Sequence, residues 1–123
     1  METVEKIVSF KQLRIWQKGM EIVRKIYQLS RKFPNEELYG LTSQMRRSAI
    51  SIPSNIAEGF KRNHSKEYTQ FLHIAQGSAA ELETQLIISR ELGFTSEKES
   101  EDISEALDHL SKMITVLLKK IKQ

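Results

Sequence analysis

The sequence lacks cysteine and has few of the residues that interrupt regular structure. Its 123 residues include only two prolines and five glycines. Without cysteine the chain forms no disulfide, binds no metal through a thiolate and has no cysteine nucleophile. The lack also suits a reducing compartment, and we therefore expect a cytoplasmic protein.

Long apolar segments are missing as well. The uninterrupted apolar runs are only a few residues long, whereas a membrane-spanning helix needs about 20. The N-terminal stretch METVEKIVSFKQLR has acidic residues near its start and no apolar run long enough for a signal peptide. We expect neither a membrane span nor a membrane partner.

The charges are unevenly distributed along the chain. Residues 1–66 contain 13 Lys and Arg against 6 Asp and Glu, whereas residues 67–123 contain 6 against 10. A chain divided in this way can present a basic face and an acidic face, and can pair them between subunits. The alternative is that the charges line solvated helix faces.

Apolar residues recur at steps of three and four in four segments, a spacing typical of amphipathic helices. No segment alternates with a period of two, so no sheet is expected. Short connections make consecutive helices antiparallel. The pattern predicts one all-α domain over residues 1–123, an antiparallel up-down-up-down four-helix bundle. The predicted helices span about residues 11–32, 41–59, 65–92 and 96–122.

Three signals mark helix ends. Gly59 is expected to end helix 2, and Ser65 to cap the start of helix 3. Ser96 and Glu99 match a capping box at the start of helix 4.

Pro53 lies inside predicted helix 2. It cannot donate a hydrogen bond to the carbonyl of Ala49, and its ring crowds that turn, so we expect helix 2 to be bent at Pro53. Pairing helices 2 and 3 as a hairpin, with facing residue numbers that sum to about 125, places small residues opposite each other. This favours a packing bend over a mobile hinge.

Helix 2 also carries a polar stripe at core-like spacing. Such a stripe is either solvated surface or a face that a partner covers, and a covered face needs paired polar groups. Pairs of this kind would be Arg47–Glu81 and Gln44–Glu83. A covered face predicts that Glu81→Ala weakens self-association. The candidate oligomer-interface residues are Gln44, Arg47, Ser51, Asn55, Glu58, Glu81 and Glu83.

Patterns typical of enzymes and metal centres are missing from the sequence. It has no G-x-S-x-G, no P-loop, no dinucleotide fingerprint and no Glu-x-x-His pair of a di-iron bundle. Asp102, Glu105 and His109 share a helix face that could form a weak metal site, but a solvated face is the simpler interpretation. We expect no enzyme, catalytic residue, metal or cofactor.

Basic residues cluster along helix 1, on helix 2 and in the connection between helices 2 and 3. Lys and Arg can neutralise phosphates, which gives salt-sensitive and mostly sequence-independent binding. No aromatic residue is interleaved with them, which argues against specific readout of single strands. The alternative is ordinary solubilising surface. The nucleic-acid-binding candidates are Lys11, Arg14, Lys18, Arg46, Arg47, Lys61, Arg62, His64 and Lys66.

Three segments resemble a known family: LRIWQKGMEIV, YGLTSQMRRSAISIPSNIAEGF and FLHIAQGSAAELETQL. They are similar to the bacterial four-helix-bundle proteins encoded in 23S rRNA intervening sequences, also called the S23 ribosomal protein family. The resemblance extends from about Leu13 to Leu117, and RRSAISIPSNIAEG is its most specific part. A further resemblance is to the accessory variability protein of diversity-generating retroelements.

This resemblance implies a homopentamer arranged as a ring around a central channel. It also implies an RNA or DNA partner, because the retroelement protein is a basic bundle that binds nucleic acid and its reverse transcriptase. The intervening-sequence proteins have no established activity, and their label does not imply ribosome membership. The leading hypothesis is a non-enzymatic, homo-oligomeric bundle that contacts nucleic acid. The alternative is a protein–protein interaction scaffold without nucleic-acid affinity.

Overall fold

Four α-helices make up most of residues 6–121, the part of the chain that the computed structural model describes. They are α1 (Arg14–Ser30), α2 (Leu41–Arg62), α3 (Ser65–Glu91) and α4 (Glu97–Ile121). Short 3-10 turns occupy Phe10–Gln12 and Asn35–Glu37. No strand occurs within these described residues.

Each helix packs against two others. Helix α1 contacts α2 and α4, and α3 contacts the same two helices. Two contacts show that the end of α1 lies beside the starts of both α2 and α4. Ser30 accepts a hydrogen bond from Arg46, and Lys32, just after α1, forms an ion pair with Glu99. The four helices therefore alternate in direction, and the predicted four-helix bundle is confirmed.

One apolar core runs through the bundle, and every helix contributes to it. Each buried leucine or isoleucine contributes up to about 1.5–3 kcal/mol of transfer free energy. No helix within residues 6–121 has both the length and the hydropathy needed to cross a membrane. The fully buried large apolar side chains are Ile22, Ile26, Met45, Ile52, Ile56, Leu72, Leu82, Leu86, Leu110 and Ile114.

Helix α1 begins later than its apolar spacing predicts. Leu13 is extended, with φ −71° and ψ 128°, and it separates the first 3-10 turn from α1. The side chain of Gln12 stabilises this turn by accepting hydrogen bonds from the backbone N–H groups of Val8 at 2.8 Å and Ser9 at 3.0 Å. Local side-chain hydrogen bonds compete here with helix extension.

Gly59 does not end helix 2, contrary to our prediction. Helix α2 continues to Arg62, and Asn63 follows in the left-handed conformation with φ 61°. Gly59 is instead buried against α3. A Cβ at this position would lie 2.7 Å from the Cβ of Phe71 and 3.2 Å from Cδ1 of Tyr68. The glycine therefore serves the close approach of α2 and α3.

The pairing of α2 with α3 is offset by four residues from the predicted hairpin. Ser48 donates to Glu81 at 2.7 Å, and the hydroxyls of Ser51 and Ser78 are 2.8 Å apart. These facing residue numbers sum to 129 rather than to about 125. Part of the difference arises because α2 continues past Gly59, so that the chain reverses later.

Pro53 lies within α2 without ending it. Its ring is buried at the contact with α1, where a Cβ added to Gly19 would lie 3.4 Å from the Cβ and Cδ of Pro53. Two residues further on, the amide of Asn55 donates to the carbonyl of Ser51 at 2.7 Å and to its hydroxyl at 2.9 Å. Helix α2 accommodates the proline at a packed contact with α1. A bend of α2 at Pro53 stays a prediction.

The starts of α3 and α4 differ in how they are capped. His64 is the N-cap of α3 and makes no side-chain capping bond, so the predicted cap at Ser65 is wrong. At α4, the backbone N–H of Glu99 donates to the Ser96 hydroxyl at 3.1 Å, as expected for that pair. The ammonium of Lys32 and the hydroxyl of Ser96 donate to the Glu99 carboxylate, and they hold its pKa below the ordinary value.

The contact at Gly59 can be tested by substitution. We expect Gly59→Ala to lower the free energy of unfolding by about 1–3 kcal/mol, because the facing Cβ of Phe71 moves only with the α3 backbone. Gly77→Ala is the matched control, since nothing lies within 4 Å of a Cβ there. The control should raise stability by about 1 kcal/mol through helix propensity. Urea denaturation followed by circular dichroism measures both, and equal changes would contradict the close contact.

Candidate nucleic-acid interface

The start of α1, the α2–α3 connection and the end of α4 meet at one end of the bundle. Side chains from the chain before α1, from the connection and from α4 line a single shallow groove there, among them Val8, His64 and Ile121. We call this region the basic end because of its cations. They are Lys11, Arg14, Lys18, Lys61, Arg62, Lys66, Lys119 and Lys120.

Most cations of the basic end have no acidic partner among the described residues. Arg62 is the exception, since it forms ion pairs with Glu58 at 2.9 Å and Glu67 at 3.4 Å. The hydrogen bond to Glu58 raises the pKa of the Arg62 guanidinium, which also lies 5.2 Å from the centre of the Phe71 ring. The remaining ammonium and guanidinium groups produce a positive potential at this end.

Lys119 and Lys120, in the last turn of α4, were not among the sequence candidates. Basic residues are common in the last turn of a helix, where they interact favourably with the helix dipole. Because these two lysines lie far along the chain from the other basic clusters, the sequence alone did not group them with those clusters. The antiparallel arrangement brings them to the basic end. His64 is exposed in the same region.

The opposite end of the bundle, the acidic end, has more acidic than basic residues, and its cations are Arg31, Lys32, Arg90 and Lys98. It comprises the α1–α2 connection, the α3–α4 connection and the start of α4. The charges are therefore distributed along the bundle axis, although each half of the sequence contributes residues to both ends. The acidic residues of this end are Glu36, Glu37, Glu91, Glu97, Glu99, Glu101 and Asp102.

A groove of about 370 Å³ between α1 and α4 continues the basic surface. Arg14, Lys18 and Arg24 line it from α1, and His109 lines it from α4. Glu21 is the acidic lining residue, and its carboxylate is paired with Lys25 at 3.4 Å. The groove therefore presents an excess of positive charge.

Arg24 and His109 were not predicted to belong to a binding surface. Lys18, Glu21 and Arg24 follow one another at steps of three residues on α1. This spacing could have identified Arg24 from the sequence. In the sequence His109 groups only with Asp102 and Glu105, as a weak metal face. No group of three potential metal ligands occurs among the described residues.

Arg46 and Arg47 lie away from the basic end, on the first half of α2. Arg46 is half-buried, and its Nε donates to the Ser30 hydroxyl at 2.9 Å. Its guanidinium carbon lies 4.5 Å from the centre of the Tyr27 ring. These contacts join α1 to α2 and give Arg46 a packing role. Arg47, the next residue, is exposed and faces α3.

A polar groove of about 480 Å³ lies on the surface where α2 and α3 meet, and we call it the α2–α3 groove. Its lining includes part of the predicted polar stripe. No ion pair joins Arg47 to Glu81 in residues 6–121, and Glu81 accepts a hydrogen bond from Ser48. The lining residues are Tyr39, Ser43, Gln44, Arg47, Ser48, Ser51, Glu81 and Gln85.

The rest of the polar stripe is largely paired within the chain. Ser51 and Asn55 are hydrogen-bonded to each other, and Glu58 pairs with Arg62. Glu83 is exposed and does not line the α2–α3 groove, so the predicted Gln44–Glu83 pair does not form within the chain. A role of the stripe in an oligomer interface stays a prediction.

Comparisons with known proteins agree with this architecture. A family model described as "23S rRNA-intervening sequence protein" matches residues 11–116. No curated protein matches the chain. A crystal structure from Bacteroides thetaiotaomicron VPI-5482, described as a protein with unknown function from the S23 ribosomal protein family, has a TM-score of 0.79 to this chain. It is 24% identical, and the match covers 85% of this chain and 98% of that one.

The different roles of Arg46 and Arg47 lead to a stability prediction. We expect Arg46→Ala to lower the free energy of unfolding by about 1–3 kcal/mol, because it removes a charged hydrogen bond and a cation–π contact. The adjacent Arg47→Ala should change stability by less than about 0.5 kcal/mol, as expected at an exposed position. Thermal and urea denaturation measure the difference. Equal destabilisation of the two variants would show that Arg46 is not a packing residue.

Proposed function

The chain belongs to the 23S rRNA-intervening sequence protein family, and we propose that it is a non-enzymatic oligomeric bundle that binds RNA or DNA through its basic end. The observation that carries this proposal is the collection of cations from three separate segments, nearly all without acidic partners among the described residues. Phosphate groups are the ligands that such a surface fits best. We propose that this binding takes place in the cytoplasm.

The α1–α4 groove extends from the basic end along the bundle, and a nucleic-acid strand can lie in it. Arg14, Lys18 and Arg24 are separated by four and six residues on one helix, about 6 and 9 Å along its axis. Phosphates of one strand of a duplex repeat about every 3.4 Å along its axis, so these separations correspond to about two and three nucleotides. Successive cations can therefore contact phosphates of the same strand without reading its sequence.

Assembly would strengthen this binding. We propose that the protomers form the homopentameric ring that the family resemblance implies. Each protomer would add one basic end, and linked weak sites bind a long polyanion far more tightly than a single site does. Light scattering gives the mass of the particle and tests this part of the proposal independently of nucleic acid.

A protein-interaction scaffold is the second candidate, and an apolar groove between α1 and α2 favours it. Trp16, Met20 and Val23 line this groove from α1, and Ile50 and Pro53 line it from α2. Ile50 is 42% exposed. Apolar residues grouped on a surface are typical of protein contacts. This groove is separate from the cations that carry the first proposal.

Salt dependence and charge reversal test the binding of nucleic acid. The affinity for a structured RNA hairpin, measured by fluorescence anisotropy, should fall by about 100-fold between 50 and 200 mM salt if about four phosphates are contacted. Arg14→Glu/Lys18→Glu should weaken binding at least tenfold and reduce the salt slope by about 2. The cause is the loss of two phosphate contacts.

Arg31→Glu/Lys98→Glu is the matched control for this experiment. It makes the same change in net charge at exposed positions on the acidic end, where its field at the basic end is largely screened. Equal weakening in the two double variants would contradict binding at the basic end. No RNA binding even at the lowest salt would overturn the proposal and favour the scaffold.

A further inference from the structure

The α2–α3 groove has an exposed aromatic ring at its edge. Tyr39 is 93% exposed and lines the groove just before α2 begins. A tyrosine ring this exposed contributes little to the core, and its flat face is open to a planar ligand. Aromatic rings in such positions stack with unpaired nucleic-acid bases.

The same groove has unused capacity to accept hydrogen bonds. Glu81 lines it with a carboxylate, of which one oxygen receives the Ser48 hydroxyl and the other has no hydrogen bond from the described residues. A carboxylate has about four acceptor positions, so most of them stay open to a ligand that donates. Gln85 also lines the groove, but its side-chain oxygen Oε1 is buried and is not open to a ligand.

Arg47 determines which kind of donor fits. It lines the groove beside these acceptors and forms no ion pair among residues 6–121. A lysine or arginine from another protein could donate to Glu81, but Arg47 would repel its charge. A ligand with neutral donors and a nearby anionic group suits both features. A nucleotide has this combination, with donors on the base edge and a phosphate attached to the sugar.

We propose that the α2–α3 groove binds an unpaired guanine base of a nucleic-acid strand. This proposal rests on the proposed function, because it concerns how the bound strand is read. Guanine presents two adjacent donors, N1–H and the N2 amino group, toward the two carboxylate oxygens of Glu81. Adenine and cytosine place an acceptor beside a single amino group, and uracil places one donor between two acceptors. The base plane would stack on Tyr39, and Arg47 would contact a phosphate.

The groove and the basic end therefore have different roles. Phosphate contacts give affinity without sequence preference, whereas contacts to base edges give specificity. The sequence did not indicate specific readout, because no aromatic residue is interleaved with the cations. The packing of α2 on α3 brings Glu81 to the groove that Tyr39 and Arg47 also line.

Two short oligoribonucleotides test the proposal. Both are uridine tracts, one with a single central guanine and one with adenine at that position, and binding is measured by fluorescence anisotropy at fixed low salt. We expect the guanine oligonucleotide to bind about tenfold more tightly. Tyr39→Ala should weaken its binding about 5- to 150-fold through lost stacking.

Glu81→Gln provides the sharper test, because the amide keeps an acceptor for Ser48 but places an amino donor against the donors of guanine. The preference for guanine over adenine should be lost. Glu83→Gln is the matched control: it makes the same chemical change at an exposed position outside the groove, and the preference should persist. Circular dichroism verifies that each variant is folded.

The outcomes separate this proposal from the proposed function. Equal affinity for the two oligonucleotides, with steep salt dependence, would overturn the guanine site and leave phosphate binding at the basic end in place. No binding of either oligonucleotide at low salt would overturn both. A change in particle mass in Glu81→Gln, without any preference for guanine in the parent protein, would show that the groove is a contact between subunits and overturn the base site.

Discussion

The close packing of α2 against α3 is the contact on which the described surfaces depend. Gly59 allows the backbone of α2 to approach Phe71, and two hydrogen-bonded pairs, Ser48–Glu81 and Ser51–Ser78, continue the contact along the helices. Because side chains on facing helices interlock, this contact fixes one register. A shift of one turn would move Glu81 out of the groove that contains Tyr39.

The antiparallel topology has an electrostatic consequence that composition alone does not show. A chain with a basic first half and an acidic second half could have one basic side and one acidic side. Instead, the helix ends decide the distribution, because connections and termini carry many of the charges. The last turn of α4 belongs to the acidic half of the sequence yet joins the basic end through Lys119 and Lys120. Charge and helix direction must therefore be considered together.

The fold was largely predictable because each amphipathic helix is determined by its own residues. The period of 3.6 identifies the buried face of a helix, and the short connections set the directions. Features that depend on a second helix were not predictable in the same way. Gly59 has the usual appearance of a helix end, and only the position of Phe71 shows that it is a packing glycine. Arg46 and Arg47 are adjacent in sequence, and the contacts of Arg46 with Ser30 and Tyr27 distinguish them.

The candidate surfaces also differ in how far a sequence can reveal them. Cations that attract phosphates need no exact geometry, so Lys11, Arg14 and Lys18 could be recognised by type and spacing. A base-reading site needs groups that converge, and the members of the α2–α3 groove come from a connection and two helices. A strand held at the basic end would still have to reach this groove, about 20 Å along α2 from Lys61 to Arg47. Several nucleotides span that distance, so affinity and specificity can reside at separate places on one protomer without either surface compromising the other.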